Sequence, residues 1–287
     1  MKIRIKVSSL IKKYGDNIVL KDISFEVVEG EIFALLGTNG AGKTTTLECI
    51  EGIRKYDGGE ITIDGKIGVQ LQSSSLPDGI KGAEALKLFA KWNNFTMTKE
   101  FTERLGLNEI IKKEYKWMST GEKRKLHLSL AMIGNPDIIF LDEPTAGLDV
   151  EARVIFHKEI KRLKEEGKTI VISSHDMAEV EALCDRLAIL KNGNIAFLGT
   201  VNELTDNMKK TYKISLKIDK PLEGVEFKFL LYKGEEKEYK IFESNNIHDG
   251  LLELLTEVKK ENILIQDLKI ESATLEDSFM DIAKGEI

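Results

Sequence analysis

An eight-residue loop rich in glycine, Gly37–Thr44, carries the residue types needed to hold a phosphate chain. It fits the pattern G-x-x-x-x-G-K-[ST]. Glycines let the backbone curl so that its N–H groups point at a phosphate, and a helix that begins there adds the positive end of its dipole. Lys43 can reach the β- and γ-phosphates, and the Thr44 hydroxyl can bind Mg²⁺. The loop therefore predicts a site for the phosphates of MgATP.

The segments on either side decide between this interpretation and a glycine-rich turn that fits the pattern by chance. Before the loop, Ile32–Leu36 is a continuous apolar run, typical of a central strand that is buried on both faces. After it, Thr44–Glu51 has helical character, and Gly52 is a natural C-terminal stop. Strand, loop and helix in this order are the context that a phosphate loop requires, and they favour the functional interpretation.

Two adjacent acids, Asp142 and Glu143, follow a second apolar run, Ile138–Leu141. A buried strand delivers its last residues to the carboxyl edge of the sheet, where the ligand crevice of an open α/β sheet lies. Asp142 is placed to hold Mg²⁺ through water, and Glu143 to orient or deprotonate the attacking water. The alternative is a strand that ends in a solvated acidic turn, but the phosphate loop upstream favours the catalytic interpretation.

His175 comes shortly after a third predicted strand, Thr169–Ser173. This position places it at the same sheet edge, within reach of a γ-phosphate, and we interpret it as a γ-phosphate sensor. The alternative is a neighbour of a helix N-cap with no chemical role. His127, His157 and His248 lack such a context and are interpreted as structural.

The elements that must position these residues alternate between strand and helix, which indicates an α/β sheet. A helical block at about 83–133 is interpreted as an insertion into this sheet. Ala188–Leu190 and Ile195–Phe197 flank Asn192-Gly193, so a β-hairpin is predicted there.

The pattern changes at about residue 206, which predicts an α/β cassette at 1–205 and a small C-terminal α/β accessory domain at 206–287. The predicted strands of the small domain are Tyr212–Ile218, Phe227–Leu231, Tyr239–Phe242 and Ile263–Ile270. A helix is predicted at 249–260, and a closing helix after Thr274.

Taken in order, these motifs resemble those of the ATP-binding subunit of an ABC transporter, over about residues 3–200. Gln72 occupies the family's Q-loop position, where glutamine senses the magnesium and γ-phosphate and links to the membrane partner. Gln70 is the adjacent competitor and is interpreted as an ordinary strand residue. Tyr14 sits where the family places an aromatic that stacks on adenine, although it could also be an ordinary loop tyrosine.

The family signature, usually written LSGGQ, is replaced here by Met118–Glu122, with the sequence Met-Ser-Thr-Gly-Glu. Ser119 and Gly121 are retained, and they can supply a hydroxyl and backbone N–H groups to a γ-phosphate at a helix N-terminus. Ser119, with Glu122 three residues later, is also a capping box, and both interpretations can hold together.

Pro144–Asp149 resembles the family's D-loop, in which Asp149 reaches across a dimer interface. In this family two cassettes stack head to tail, and each ATP lies between the phosphate loop of one chain and the signature of the other. A single copy of each motif implies a homodimer or a heterodimer.

The implied catalytic residues are Glu143, His175 and Gln72, and the implied metal ligands are Thr44, Gln72 and Asp142. The residues expected to contact nucleotide are Tyr14, Asn39, Gly40, Ala41, Gly42, Lys43, Thr44, Thr45, Ser119, Gly121 and Asp149.

The resemblance implies a fold and a function. The fold is a P-loop NTPase ABC cassette, with a mixed sheet core, an antiparallel β part and an inserted helical subdomain, followed by a small α/β unit. The function is that of an MgATP-hydrolysing motor that acts on a separate membrane-spanning permease subunit. Ala273–Phe279 resembles the end of ATPase subunits that serve drug exporters with separate membrane subunits, which favours export.

Composition bounds these expectations. The net charge of -6 and a pI of about 5.5 give no reason to expect a nucleic-acid partner. Cys49 and Cys184 form no CxxC pair, which favours a reducing cytosol. Met1–Val7 alternates charged and apolar residues, which predicts an edge strand rather than a signal peptide. No apolar run approaches the roughly 20 residues that a membrane span needs, so the chain is not expected to cross a membrane. Together with the membrane partner that the resemblance implies, a peripheral position on the cytoplasmic face is expected.

Two other classes of function remain as alternatives. A soluble ABC-type ATPase could act on ribosomes or nucleic acid, but ribosome-acting members carry two cassettes, and DNA-acting members carry a coiled-coil or zinc insertion that Lys43–Ser119 lacks. A P-loop GTPase would need an Asn-Lys-x-Asp stretch, which the sequence does not contain. A small-molecule kinase would not need the elements at Ser119 and Asp149.

Overall fold

The chain divides into two compact units, Met1–Val201 and Asn202–Ile287, and the described residues of each unit contain a hydrophobic core. The structure is a computed structural model that describes residues 2–70, 76–104, 106–206, 212–220, 222, 225 and 227–272 of the 287. Within those ranges no helix has both the length and the apolar character to span a bilayer.

The first unit is built on a six-stranded sheet with the order β5-β6-β7-β3-β8-β9. Its strands are β3 (Ile32–Gly37), β5 (Ile67–Gln70), β6 (Ile138–Asp142), β7 (Thr169–Ser174), β8 (Arg186–Lys191) and β9 (Asn194–Thr200). Neighbouring strands are parallel except β9, which forms the predicted antiparallel hairpin with β8. Strands β3, β6 and β7 are buried along their whole length, as their continuous apolar runs predict. They end at one edge of the sheet.

A three-stranded antiparallel sheet completes the β part of this unit. Its strands are β1 (Ile3–Tyr14), β2 (Asn17–Val28) and β4 (Gly58–Ile63), in the order β2-β1-β4. Because β1 lies at the centre, the prediction of an edge strand at Met1–Val7 is wrong. The alternation has another cause: Ile5 and Val7 face the core, while Lys6 between them is exposed to solvent.

Helices surround the six-stranded sheet and form the helical block. They are α1 (Lys43–Ile50), α2 (Gly82–Trp92), α3 (Lys99–Arg104), α4 (Thr120–Met132), α5 (Val150–Glu165) and α6 (Met177–Leu183). A short helix, α7 (Val201–Asp206), begins at the last residue of the first unit. Short 3₁₀ turns at Leu107–Glu109 and Tyr115–Trp117 lie between α3 and α4. The backbone N–H of Tyr115 donates to the carbonyl of Ile80 at 2.8 Å, which fixes the segment before α2 to the segment before α4.

The second unit contains a four-stranded antiparallel sheet and one long helix. Its elements are β10 (Tyr212–Ile218), β11 (Leu231–Glu236), β12 (Tyr239–Ser244), α8 (Ile247–Lys260) and β13 (Ile265–Ser272), with the sheet order β11-β12-β10-β13. The apolar face of α8 packs Leu254 and Val258 against this sheet's core.

The strand predicted at Phe227–Leu231 is misplaced, because β11 begins at Leu231. The N–H groups of Lys228 and Phe229 donate to the carboxylate of Glu253 at 2.7 and 2.9 Å instead of to a strand. The apolar side chains of the segment fill the core under the sheet. The closing helix predicted after Thr274 lies outside the described residues.

Candidate functional site

The phosphate loop lies between the end of β3 and the start of α1, as its sequence predicts. Gly40 and Gly42 have φ values of 82° and 107°, which side-chain-bearing residues rarely adopt. A Cβ on Gly42 would lie 2.7 Å from Cδ2 of Leu20, and one on Gly37 would lie 2.7 Å from the carbonyl oxygen of Leu190. The loop therefore has the tight backbone curl that a phosphate cradle needs. A side chain at Gly37 would require a shift of the backbone, and one at Gly40 or Gly42 would be strained by the positive φ.

Lys43 is buried and folded over this loop. Its Nζ donates to the carbonyl oxygens of Gly37 at 2.7 Å and Thr38 at 3.3 Å. Burial lowers the pKa of Lys43, while the negative charges of Glu143 and Asp142 oppose that shift. A partly desolvated ammonium group beside a cradle of backbone N–H groups is suited to bind a phosphate in place of its carbonyl partners.

Thr44 and Asp142, the predicted metal ligands of the loop and of β6, are in contact. The Thr44 and Ser173 side chains both hydrogen-bond to the carboxylate of Asp142, which is only 3% exposed. Burial raises the pKa of Asp142, and these two hydrogen bonds oppose the rise. A hydroxyl and a carboxylate side by side are hard oxygen donors, so the residues present fit Mg²⁺. Gln72, the third predicted ligand, lies outside the described residues.

Glu143 and His175 are brought together by the neighbouring strands β6 and β7. Oε1 of Glu143 lies 3.3 Å from Nδ1 of His175. The Glu143 side chain is 14% exposed and that of His175 is 58% exposed. The N–H of Glu143 is held by the Ser173 hydroxyl at 3.0 Å, and its backbone has a φ of 45°. Sequence reasoning missed Ser173, which contacts both acids; its place at the end of a buried strand was the available signal.

The altered signature forms the capping box that its sequence predicts. The N–H of Ser119 donates to Oε2 of Glu122 at 2.9 Å, and the N–H of Glu122 donates to Oγ of Ser119 at 3.2 Å. Nζ of Lys113 lies 2.6 Å from Oε1 of Glu122. Although partial burial raises it, the pKa of Glu122 stays below its ordinary value because of the charge and hydrogen bonds of Lys113 and Ser119. The acid that departs from the family pattern is thus engaged within the chain.

Two further predicted contacts, Tyr14 and Asp149, lie at the ends of elements. Tyr14 ends β1 with 43% of its surface exposed, and Lys12 and Arg54 carry their charges 5.3 and 5.4 Å from its ring centroid. An exposed ring with adjacent cations is suited to stack on a base near phosphates. Asp149 is the N-cap of α5, where its carboxylate accepts the N–H of Ala152 at 2.8 Å.

Comparison with known proteins identifies a family. The profile of the family described as ABC transporter matches residues 20–146. An uncharacterized ABC transporter ATP-binding protein of Methanocaldococcus jannaschii is 42% identical over 216 residues, which cover 72% of this chain and 82% of that protein. The linearmycin resistance ATP-binding protein LnrL of Bacillus subtilis is 31% identical over an alignment of 303 positions, which covers 97% of this chain and 97% of that protein. The Nod factor export ATP-binding protein I of Burkholderia orbicola is 37% identical over 68% of this chain and 70% of that protein.

Solved structures share the fold of the first unit. The ATP-binding subunit of an ABC transporter superimposes with a TM-score of 0.64 at 27% identity, covering 71% of this chain and 92% of that one. A bacterial ABC transporter cassette solved as a dimer gives a TM-score of 0.63 at 26% identity, covering 68% of this chain and 98% of that one. The α/β cassette fold expected from the sequence is confirmed.

Proposed function

The chain belongs to the family of ABC transporter ATP-binding proteins, which hydrolyse ATP. On this basis we propose the following roles for its residues and partners. Gly37–Thr44 holds the phosphates of ATP, with Lys43 on the β- and γ-phosphates. Thr44 and Asp142 hold Mg²⁺, together with Gln72. The ion supplies charge neutralisation at the phosphates when it is bound. Tyr14 stacks on the adenine.

The close approach of Glu143 and His175, at 3.3 Å, carries the catalytic part of the proposal. Glu143 is the general base that orients and deprotonates the attacking water. With Nδ1 of His175 facing Glu143, Nε2 is the ring nitrogen that can face the γ-phosphate, so His175 senses that phosphate. Both side chains stand at the edge where β6 and β7 end, beside the loop that precedes α1.

The active form that we propose is a head-to-tail dimer, either of two copies or with a related chain. Ser119 and Gly121 of one protomer would then contact the γ-phosphate held by its partner, and Asp149 would cross the interface. The N-terminus of α4 supports this role, because its cap places N–H groups and the Ser119 hydroxyl together at a helix end. A related cassette has been solved as a dimer.

A membrane-spanning permease in a separate chain is the proposed partner, and export is the proposed direction. The support comes from relatives whose names describe linearmycin resistance and Nod factor export. The C-terminal segment that resembles exporter subunits lies outside the described residues. On this proposal the chain works at the cytoplasmic face of the membrane. An ABC-type ATPase that acts on ribosomes or nucleic acid is the alternative.

Glu143→Gln tests the catalytic assignment. We expect MgATP binding to remain and the ATP hydrolysis rate to fall at least about a hundredfold, because an amide cannot accept the proton. We also expect an ATP-bound dimer to accumulate, as measured by size-exclusion chromatography with light scattering. Glu151→Gln, at an exposed acid in the first turn of α5, is the matched control. Near-normal hydrolysis by Glu143→Gln would remove Glu143 from the mechanism.

Co-purification tests the partner. The tagged chain is recovered from native membranes solubilised in mild detergent, and the accompanying proteins are identified by mass spectrometry. We expect a stoichiometric protein with several membrane spans. Recovery only from the soluble fraction, together with ribosomal or DNA-associated proteins, would replace the permease by the alternative partner and leave the ATP site unchanged.

A further inference from the structure

Behind the pair formed by Glu143 and His175 lies a buried carboxylate that none of the sequence motifs includes. It belongs to Glu179, in the first turn of α6, and is 2% exposed. The Thr145 hydroxyl donates to Oε1 of Glu179 at 2.8 Å, and the Ser174 hydroxyl donates to Oε2 at 2.6 Å. Each oxygen of the carboxylate therefore has its own hydroxyl donor.

The two donors stand next to the two proposed catalytic side chains. Thr145 is two residues after Glu143, in the loop that follows β6, and Ser174 immediately precedes His175 at the end of β7. One carboxylate thus connects the segment that carries the general base to the segment that carries the phosphate sensor.

The connection is rigid for a physical reason. Thr145 and Ser174 are 4% and 2% exposed, so neither hydroxyl has water as an easy substitute partner. A buried carboxylate that loses a donor pays a desolvation penalty, and hydrogen bonds to a charged acceptor are stronger than neutral ones. Ser174 is further fixed because its hydroxyl also accepts the N–H of Asp176 at 3.0 Å. The ring nitrogen Nε2 of His157 faces Oε1 of Glu179 at 3.6 Å.

The Glu179 carboxylate, its two hydroxyl donors and the side chains of Glu143 and His175 border one small space. A cavity of about 170 Å³ is lined by Glu143, Thr145, Ser174, His175 and Glu179, among others. Because open volume lies directly beside the catalytic pair, packing alone leaves room for the loop after Glu143 to move relative to His175. The Ser173 hydroxyl holds the backbone of Glu143, and the hydrogen bonds of Glu179 add a second, side-chain connection that opposes this movement.

We propose that Glu179 is a positioning residue for ATP hydrolysis, which fixes Glu143 relative to His175 through Thr145 and Ser174. The proposal rests on the catalytic roles assigned to Glu143 and His175 above. Glu179 does not touch the reacting atoms. It acts by holding two loops whose displacement by about 1 Å can lower a rate by as much as about a hundredfold.

The first test removes one hydroxyl without changing the shape of the side chain. Thr145→Val should lower the kcat for ATP hydrolysis about tenfold, with the Kd for MgATP unchanged because the phosphate loop is untouched. Thr145→Ser, which keeps the hydroxyl, should restore kcat. The matched control is Thr169→Val at the opposite end of β7, where the Thr169 hydroxyl accepts the N–H of Gly30 at 3.0 Å. This control deletes an equally buried hydroxyl and should leave kcat unchanged.

A double-mutant cycle separates positioning from general loosening of the fold. If Thr145 acts through the catalytic pair, Thr145→Val should cause little further loss in a His175→Ala background. Glu179→Gln provides a second variant if Thr145→Val does not fold, because the amide keeps the shape and one acceptor. It should lower kcat by a smaller factor than Thr145→Val, again without a change in Kd.

Two results would overturn the proposal. One is wild-type kcat in folded Thr145→Val or, if that variant does not fold, in Glu179→Gln. The other is a loss in the double variant equal to the product of the two single losses. These results are distinct from failure of the catalytic assignment, which appears as undiminished hydrolysis by Glu143→Gln.

Discussion

At the scale of single residues, the ammonium group of Lys43 donates to carbonyl oxygens of its own loop at 2.7 and 3.3 Å. A nucleotide offers it charged phosphate oxygens, which are stronger acceptors. Lys43→Ala should therefore weaken MgATP binding at least about tenfold, as measured by isothermal titration calorimetry. Lys161→Ala, at an exposed lysine of α5, should bind normally; equal affinity of Lys43→Ala and wild type would contradict the assignment.

Glu122 places a negative charge at the position where the family signature has an uncharged glutamine. Its carboxylate accepts the Ser119 N–H and pairs with Lys113, which is 45% exposed. Glutamine keeps the cap acceptor and loses only an ion pair of small value. Glu122→Gln should therefore hydrolyse ATP at a rate within about twofold of wild type in a steady-state assay. A large loss would show that the glutamate has a specific task beyond capping α4.

At the scale of elements, the C-terminal end of α1 carries an unusual acid. Both carboxylate oxygens of Glu51 are buried without a hydrogen-bond partner in the structure. Burial, followed by the negative charges of Asp142 and Glu48, raises the pKa of Glu51 from 4.5 to about 8. Between pH 4.5 and about 8, the folded chain therefore keeps a proton on Glu51 that the unfolded chain releases. The stability that depends on this proton is complete at low pH and is lost as the pH rises through about 8.

Glu51→Gln should remove this dependence, because an amide does not titrate. The free energy of unfolding in urea should rise relative to wild type by up to about 3 kcal/mol at pH 8, and much less at pH 5. Glu60→Gln, at an exposed position of β4, is the control and should not change the pH profile. A gain that is equal at pH 5 and pH 8 would mean that Glu51 is charged in the folded chain.

Local patterns predicted most elements of the site, because Asp142 and Glu143 come at the end of a long apolar run. Ser119 and Asp149 are the N-caps of helices. The sheet edge near Gly37, Asp142 and Ser174 could be inferred on that basis. The Glu179 cluster could not, because Thr145, Ser174 and Glu179 come from three segments with no common spacing. Likewise β1 lies at the centre of its sheet because β4, which is distant in sequence, pairs with the edge that β2 leaves open. Alternation along one strand does not reveal such a partner.

At the scale of the whole molecule, the two units have separate hydrophobic cores. Every described candidate site residue lies in Met1–Val201. A chain that ends at Asp206 should therefore fold and bind MgATP with a Kd within about threefold of the full-length value. Circular dichroism and calorimetric titration provide the measurement. A folded fragment with a much weaker Kd would show that the second unit contributes to the nucleotide site.

The backbone of Glu143 has a φ of 45°, a conformation that glycine and asparagine adopt more easily than glutamate. Selection for thermal stability alone would favour one of those residues at this position, at a gain of about 1 kcal/mol. On the role proposed for Glu143, ATP hydrolysis requires the carboxylate that this backbone conformation disfavours. The substitutions that most easily relax this turn would then also remove the general base. Screens for heat-resistant variants should enrich stable, catalytically dead chains altered here, unless they also select for ATP hydrolysis.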